Sequence, residues 1–254
     1  MSSGPTKRAL EVAEQETAEL VRSGAQAVIL TGSHARGDAH AESDLDLRVV
    51  GDGPPEALKR HDEFLVSISW QELQEHRESL SDPAEVGQVV PGLRTCFIIH
   101  DPQGLAAKLK EEAERWKWDL LEEESDEWVA HEITDYAEEV HTLVGNFDMN
   151  QLSGAAAVRS QLALHLAQVL SVHKRILYET ENDLWDCVAE AMGERYAGAQ
   201  ELALGVKETS LKESCDATLE LFGMAAAEAR RLLSDTQRDV VAHACKLAGH
   251  PLPD

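Results

Sequence analysis

The hydrophobic rhythm of the chain changes near residue 120. Before that point short apolar runs and alternating segments mix with helical spacing; after it only helical spacing remains. Residues 6–23 place apolar side chains at helical intervals and end at Gly24, which predicts an amphipathic helix. Ala27-Val28-Ile29-Leu30 is a continuous apolar run of strand length and reads as a buried strand. Leu45 and Leu47 alternate with Asp44 and Asp46, so a second strand has an apolar side and a carboxylate side. After a linker over 51–55, Phe64, Val66, Ile68 and Trp70 alternate with Leu65, Ser67 and Ser69 in a third strand. A short helix is expected over 71–80, and Pro83 and Pro91-Gly92 bracket an expected loop before a fourth strand over 94–100. Asp101-Pro102 carries the signals of an N-cap and first helical position, opening a helix that runs to Trp118.

Beyond an acidic connector over 121–126, residues 127–247 are rich in alanine and leucine at helical spacing. Breaks are expected at Gly145-Asn146, Ser153-Gly154, Gly193 and Gly198, giving a bundle of about five helices, one of them over 155–178. No internal repeat is visible. The expected fold is therefore α+β, with a small mixed β-sheet domain over 1–122 and an all-α bundle over 123–254. The length is sufficient for two cores, and a cleft between two such domains is a usual seat for a small ligand.

Chemistry concentrates in Gly32-Ser33-His34-Ala35-Arg36-Gly37 and, shortly after, Ser43-Asp44-Leu45-Asp46-Leu47. Asp44 and Asp46 project the same way from a strand, and like charges that close repel. They make most sense around a hard divalent cation, and Mg²⁺ is commonly held by one or two carboxylates together with substrate phosphates. Gly32 lets backbone approach a ligand closely, and the amides after it favour an anion. A Gly-Ser pair alone is merely a turn, and an S-D-x-D segment alone can be a solvated strand edge or an N-cap. Their combination between two apolar strands points to phosphate and metal.

This arrangement resembles the nucleotidyltransferase superfamily related to DNA polymerase β, and within it small enzymes with a helical second domain, such as aminoglycoside and lincosamide nucleotidyltransferases. The resemblance rests on Gly32, Ser33, Arg36, Ser43, Asp44 and Asp46. It implies a nucleoside triphosphate substrate, ATP being the expected one, and a two-metal Mg²⁺ site at Asp44 and Asp46. Gly32 and Ser33 would contact the β- and γ-phosphates, Arg36 would neutralise phosphate charge, and Ser43 would belong to the same nucleotide site. The family places a third acid on a neighbouring strand; here Ser67 stands at that position, and Glu63, of the same parity, is the candidate replacement. A glutamate of the helical domain is expected to deprotonate the acceptor hydroxyl, with Glu132 and Glu139 as candidates, although acids on helices are commonly just a solvated face. Lys174 is a candidate triphosphate contact whose bland reading is complement to a helix C-terminus.

Composition narrows the acceptor. Lys and Arg total 23 against 47 Asp and Glu, a formal charge of −24, which opposes a nucleic-acid partner and favours a small-molecule or protein acceptor, a cationic one gaining from the field; together with the family resemblance it makes an antibiotic-like small molecule the expected acceptor. Cys96, Cys187, Cys215 and Cys245 are scattered without ligand or disulfide spacing, so they read as reduced thiols of a cytoplasmic protein. No segment has the apolar run of a leader or a membrane span, so no membrane partner is expected. A homodimer that completes the cleft is an open alternative. Because Ser67 departs from the family pattern, so are a non-catalytic nucleotide-binding or interaction protein and a protein-AMP-transferring toxin or antitoxin component.

Overall fold

A computed structural model describes residues 4–253. Its strands are β1 (Ala27–Thr31), β2 (Leu45–Val50), β3 (Glu56–His61), β4 (Phe64–Gln71) and β5 (Phe97–His100), joined as one sheet in the order β3-β4-β2-β1-β5. β2 and β4 are parallel and the other neighbours antiparallel. Val28 and Leu30, Leu45, Leu47 and Val49, and Val66, Ile68 and Trp70 share one face. There they pack against Ala9, Val12, Ala13 and Leu20 of α1 (Lys7–Arg22). Each aliphatic side chain fully buried in this way contributes about 1.5–3 kcal/mol before entropy is charged against it. The opposite face is covered over β1 by α4 (Pro83–Thr95) and α5 (Leu105–Arg115), and α3 (Leu73–Ser79) packs on β4. β1 is accordingly buried at every position, which its unbroken apolar run requires.

The structure corrects several expectations. The stretch expected to be a loop between Pro83 and Gly92 is helix: Asp82 caps it by accepting the Ala84 amide at 2.9 Å, and Pro83 fits the first turn. Pro91 lies inside α4, where burial of Val86, Val89, Val90 and Leu93 on one face outweighs the roughly 3 kcal/mol that an interior proline costs. Arg94 and Thr95 consequently end this helix rather than begin β5. Arg94 donates to the carbonyls of Ala113 and Trp116, both at 2.8 Å, and satisfies the end of α5. α5 opens at Leu105, later than expected, because Gly104 at φ +70° turns the chain first. Asp101 still serves the helix by accepting from the amides of Leu105 at 2.7 Å and Ala107 at 2.9 Å. β3 had no place in the expected order. An edge strand that alternates exposed with half-buried residues lacks a strong apolar signal.

The chain divides into two compact units between Leu120 and Leu121, the first ending with the short 3₁₀ turn Trp118–Leu120. The second unit is all helical: α6 (Glu122–Asp148), α7 (Leu152–His173), α8 (Glu181–Met192), α9 (Glu194–Ala203), α10 (Leu211–Ala229) and α11 (Asp235–Leu247). The expected acidic connector is the first turn of α6, where Glu122, Glu123 and Glu124 complement the helix dipole. Gly145-Asn146 and Ser153-Gly154 lie inside helices, as does Gly198, so of the expected breaks only Gly193 separates two elements, α8 and α9. The long helix α7 ends at His173 instead of Tyr178, and Arg175 adopts φ +57° just beyond it. Tyr196, Phe222, Ile133, Leu143, Leu162 and Leu166 form the centre of this bundle.

Asp101→Ala removes two carboxylate acceptors from the start of α5 while changing no packed volume. The expected outcome is a loss of about 1–2 kcal/mol in unfolding free energy, measured by urea denaturation.

Candidate active site

β1 ends at Thr31 and passes directly into the short helix α2 (Gly32–Arg36). Gly32 adopts φ +70°, and a Cβ there would collide with the carboxylate of Asp46, so the position demands glycine on two grounds. Gly37, left-handed at φ +84°, closes the turn, with the amides of Gly37 and Asp38 donating to the Ser33 carbonyl at 2.8 and 3.1 Å. The Arg36 side chain is only 9% exposed and its Nε donates to Asp38 at 3.2 Å.

The return loop is ordered by its own polar groups. Ser43 Oγ accepts the His40 amide at 3.0 Å, and the Ser43 amide donates to the His40 carbonyl at 3.1 Å. Buried His34 places Nε2 3.4 Å from the Ser43 carbonyl and packs edge-on to Phe64, with ring centroids 5.4 Å apart. This loop delivers Asp44 to the position just before β2, near enough for its charge to act on Asp46 inside the strand.

Asp46 lies across from Thr31 of β1 on one side and Ser67 of β4 on the other. Burial, and after it the neighbouring charge of Asp44, pushes the Asp46 carboxyl up to about 6; Arg48 and Arg36 pull in the opposite direction. Arg48 is the site residue that sequence reasoning missed. It extends the alternation Asp44, Asp46 by one more step, so its direction was readable. Burial lowers its pKa, while Asp46 and Glu85 of α4 favour its charged form. Beneath it His76 of α3 is held neutral by burial, its pKa lowered to about 4.

The expected third acid is absent from the strand: Ser67 is the direct neighbour of Asp46 in the parallel β2–β4 ladder. Glu63 does not continue the alternation of β4, which begins at Phe64 after Asp62 turns the chain at φ +51°. Its carboxylate accepts from Arg8 Nε at 3.1 Å, and Asp62 pairs with the same arginine. Arg8 belongs to α1, the helix on the face opposite Asp46. In the helical unit Glu132 is bonded to His165 Nε2 at 2.5 Å, with Tyr136 stacked on that imidazole at 3.9 Å. Glu139 is half-buried farther along α6, and Lys174 pairs with Glu228 at 2.5 Å. Glu63 and Lys174 thus have ion-pair partners of their own, and Glu132 has a hydrogen-bond partner in His165.

Among the described residues no group of three or more His, Cys, Asp or Glu side chains is placed to hold a metal ion. The pair Asp44 and Asp46 nevertheless fits a hard cation that takes its remaining ligands from phosphates and water: both donors are oxygens, and the space a Gly32 Cβ would fill is taken by the Asp46 carboxylate, which sets it beside the backbone of the turn. A separate cavity of about 370 Å³ lies at the other end of β2, bounded by Gln26, Asp52, Glu72 and Arg77. Its Arg77 is already engaged in a two-point pair with Glu112.

A mixed sheet that sets a glycine turn against a strand-borne carboxylate pair is the arrangement of a nucleotidyltransferase. The chain belongs to the nucleotidyltransferase domain family, whose profile matches residues 11–139, from α1 into α6. Among solved structures it is similar to a nucleotidyltransferase-like protein from Exiguobacterium sibiricum 255-15. The two are 15% identical with a TM-score of 0.50, over 94% of this chain and 78% of the other. That likeness is one of fold. No curated protein matches the chain. No helix among the described residues is long and apolar enough to cross a membrane.

An acid whose folded pKa lies above its ordinary 3.8 loses stability as it ionises, so Asp46 costs the fold nothing below pH 4 and its full penalty above about 6. Asp46→Asn should therefore raise unfolding free energy by about 1–3 kcal/mol at pH 8. The gain should disappear at pH 4, as read by urea denaturation of both proteins at the two pH values.

Proposed function

We propose that this protein transfers a nucleoside monophosphate from a nucleoside triphosphate to a hydroxyl of a small-molecule acceptor in the cytoplasm. One observation carries the reading. The Asp46 carboxylate is held half-buried beside Asp44 and against the backbone of Gly32, an arrangement that burdens the fold and suits a ligand. Family membership supplies the reaction class.

Asp44 and Asp46 would hold Mg²⁺, which when bound neutralises charge on the phosphates. The Gly32–Ser33 turn would bind the phosphates that leave, and Arg36 would add positive charge beside them. The acceptor hydroxyl gives up its proton to solvent and its oxygen would form its bond to the α-phosphorus as the bond to pyrophosphate breaks, with entering and leaving oxygens in line. What the chain contributes is position and electrostatics: strands fix the carboxylates, and a closed turn fixes the amides. The net charge of −24 favours a cationic small molecule over a polynucleotide as acceptor.

Calorimetric titration of ATP, GTP, CTP and UTP, with and without Mg²⁺, tests the site. Binding of a preferred triphosphate should require Mg²⁺ and weaken more than about tenfold in both Asp46→Ala and the isosteric Asp46→Asn. Affinity indifferent to Mg²⁺ and to both substitutions would overturn the assignment. Binding with no pyrophosphate release over a panel of hydroxyl acceptors would favour a nucleotide-binding protein without transferase activity, a reading that neutral Ser67 beside Asp46 supports.

A further inference from the structure

Four residues stand side by side across the sheet: Thr31 on β1, Asp46 on β2, Ser67 on β4 and Leu58 on β3. Neighbours in register share a face, so Leu58 lies on the carboxylate face, two strand spacings or about 10 Å from Asp46. Leu65 precedes Ser67 by two residues and shares that face. Leu58 is 66% exposed and Leu65 48% exposed, although the alternate residues Val66 and Ile68 are buried. Scattered surface leucines need no explanation. Two on adjacent strands, on one face, flanking the neutral residue beside the site's central carboxylate, form an apolar ledge continuous with the site.

The ledge has a definite side. The Gly32–Ser33 turn follows β1, and β1 borders β2 on the edge away from β4. On the proposed reading the pyrophosphate leaves toward that turn. An in-line displacement brings the nucleophile from the opposite direction, which across this sheet is the direction of Ser67, Leu65 and Leu58. Resting on that reading, we infer that the acceptor carries an aliphatic or aromatic surface next to its reactive hydroxyl, seated on Leu58 and Leu65. Ser67 supplies a hydroxyl between the ledge and Asp46 and adds no charge to repel an apolar group. Lys59 lies on the opposite face, paired with Glu19 of α1, whereas Arg60 shares the face of Leu58 and stands opposite Leu65, its Nε drawn off to donate to the Asp62 carbonyl at 2.8 Å. The transfer reaction would thus use phosphate recognition on one side of β2 and hydrophobic contact on the other.

The test uses methyl-labelled leucine in the full chain loaded with Mg²⁺ and α,β-methylene ATP, which cannot transfer its nucleotide, and titrates benzyl alcohol and glycerol as probes. Benzyl alcohol should shift the Leu58 and Leu65 methyl signals saturably and glycerol should not. The double variant Leu58→Ser, Leu65→Ser should weaken benzyl alcohol binding about tenfold, the scale of a few methylene groups lost from contact, with the affinity for the nucleotide analogue unchanged. Equal responses to both probes, or benzyl alcohol shifts spread over exposed Leu120, Leu152 and Leu164 alike, would overturn the inference. Shifts of the Leu58 and Leu65 methyls on addition of the nucleotide alone would overturn it differently, by making the ledge the seat of the base. If the analogue fails to perturb the Gly32 and Asp46 amides, the transfer reading falls, and the acceptor assignment falls with it.

Discussion

The approach of the Asp46 carboxylate to the backbone of Gly32 is the constraint on which the rest of the first unit depends. It requires β1 to end where β2 begins, with Thr31 opposite Asp46, and it requires the chain to reverse through a left-handed glycine without a side chain in the way. A one-residue slip of β2 would exchange its faces, putting Leu45 and Leu47 into the site and the carboxylates into the layer beneath α1. Because Leu45, Leu47 and Val49 are fully buried on that layer, the hydrophobic core itself holds the carboxylates in register. Packing and site geometry are one specification here, written in alternating residues of the same strand.

Electrostatics on the carboxylate face is locally balanced within a strongly negative molecule. Asp46 feels Asp44 on one hand and Arg48 of its own strand and Arg36 from the preceding turn on the other. A chain with a formal charge of −24 has few cations to place, and the use of two of them here is a spatial choice. The charge of Glu85 favours the ionised form of Arg48, and His76, kept neutral by burial, adds no competing positive charge. The result keeps Asp46 ionisable near neutrality instead of fully protonated, which a desolvated carboxylate beside another acid would otherwise become.

Legibility in the sequence followed the strength of local constraint. The Gly32-Ser33 turn, the Asp44/Asp46 pair and β1, β2 and β4 could be read because apolar periodicity and charge coincide there. Arg48 lay in the same alternation and was missed since arginine on a strand ordinarily signals solvent, and only α4 and β2 together show it enclosed. The helix over Pro83–Thr95 was misread because two prolines are strong local breakers, while the four apolar residues that override them act through tertiary burial. Glu63 was misread from parity alone: alternation holds inside a strand, and the hairpin turn at Asp62 cancels it one residue before β4 starts. In the helical unit the glycines misled in the same way, since Gly145 and Gly154 sit within the end turns of α6 and α7, where their conformational cost is smallest.

The weakest sequence signal belongs to β3, and this has a physical reason that bears on function. An edge strand is bonded on one side only, and one exposed to solvent on alternate positions needs few apolar residues, so its side chains are constrained by little other than the avoidance of aggregation. Lys59 and Arg60 provide that protection, as charged residues on short edges do. Leu58 runs against it: a large aliphatic on an unpaired edge is a liability, and no core residue covers it. β1, by contrast, is buried along its whole length, and β2 is held by the fully buried row of Leu45, Leu47 and Val49. The carboxylates therefore sit on a strand whose other face the core fixes, whereas on β3 and the outer face of β4, the proposed seat of the acceptor, side chains can be exchanged without disturbing them.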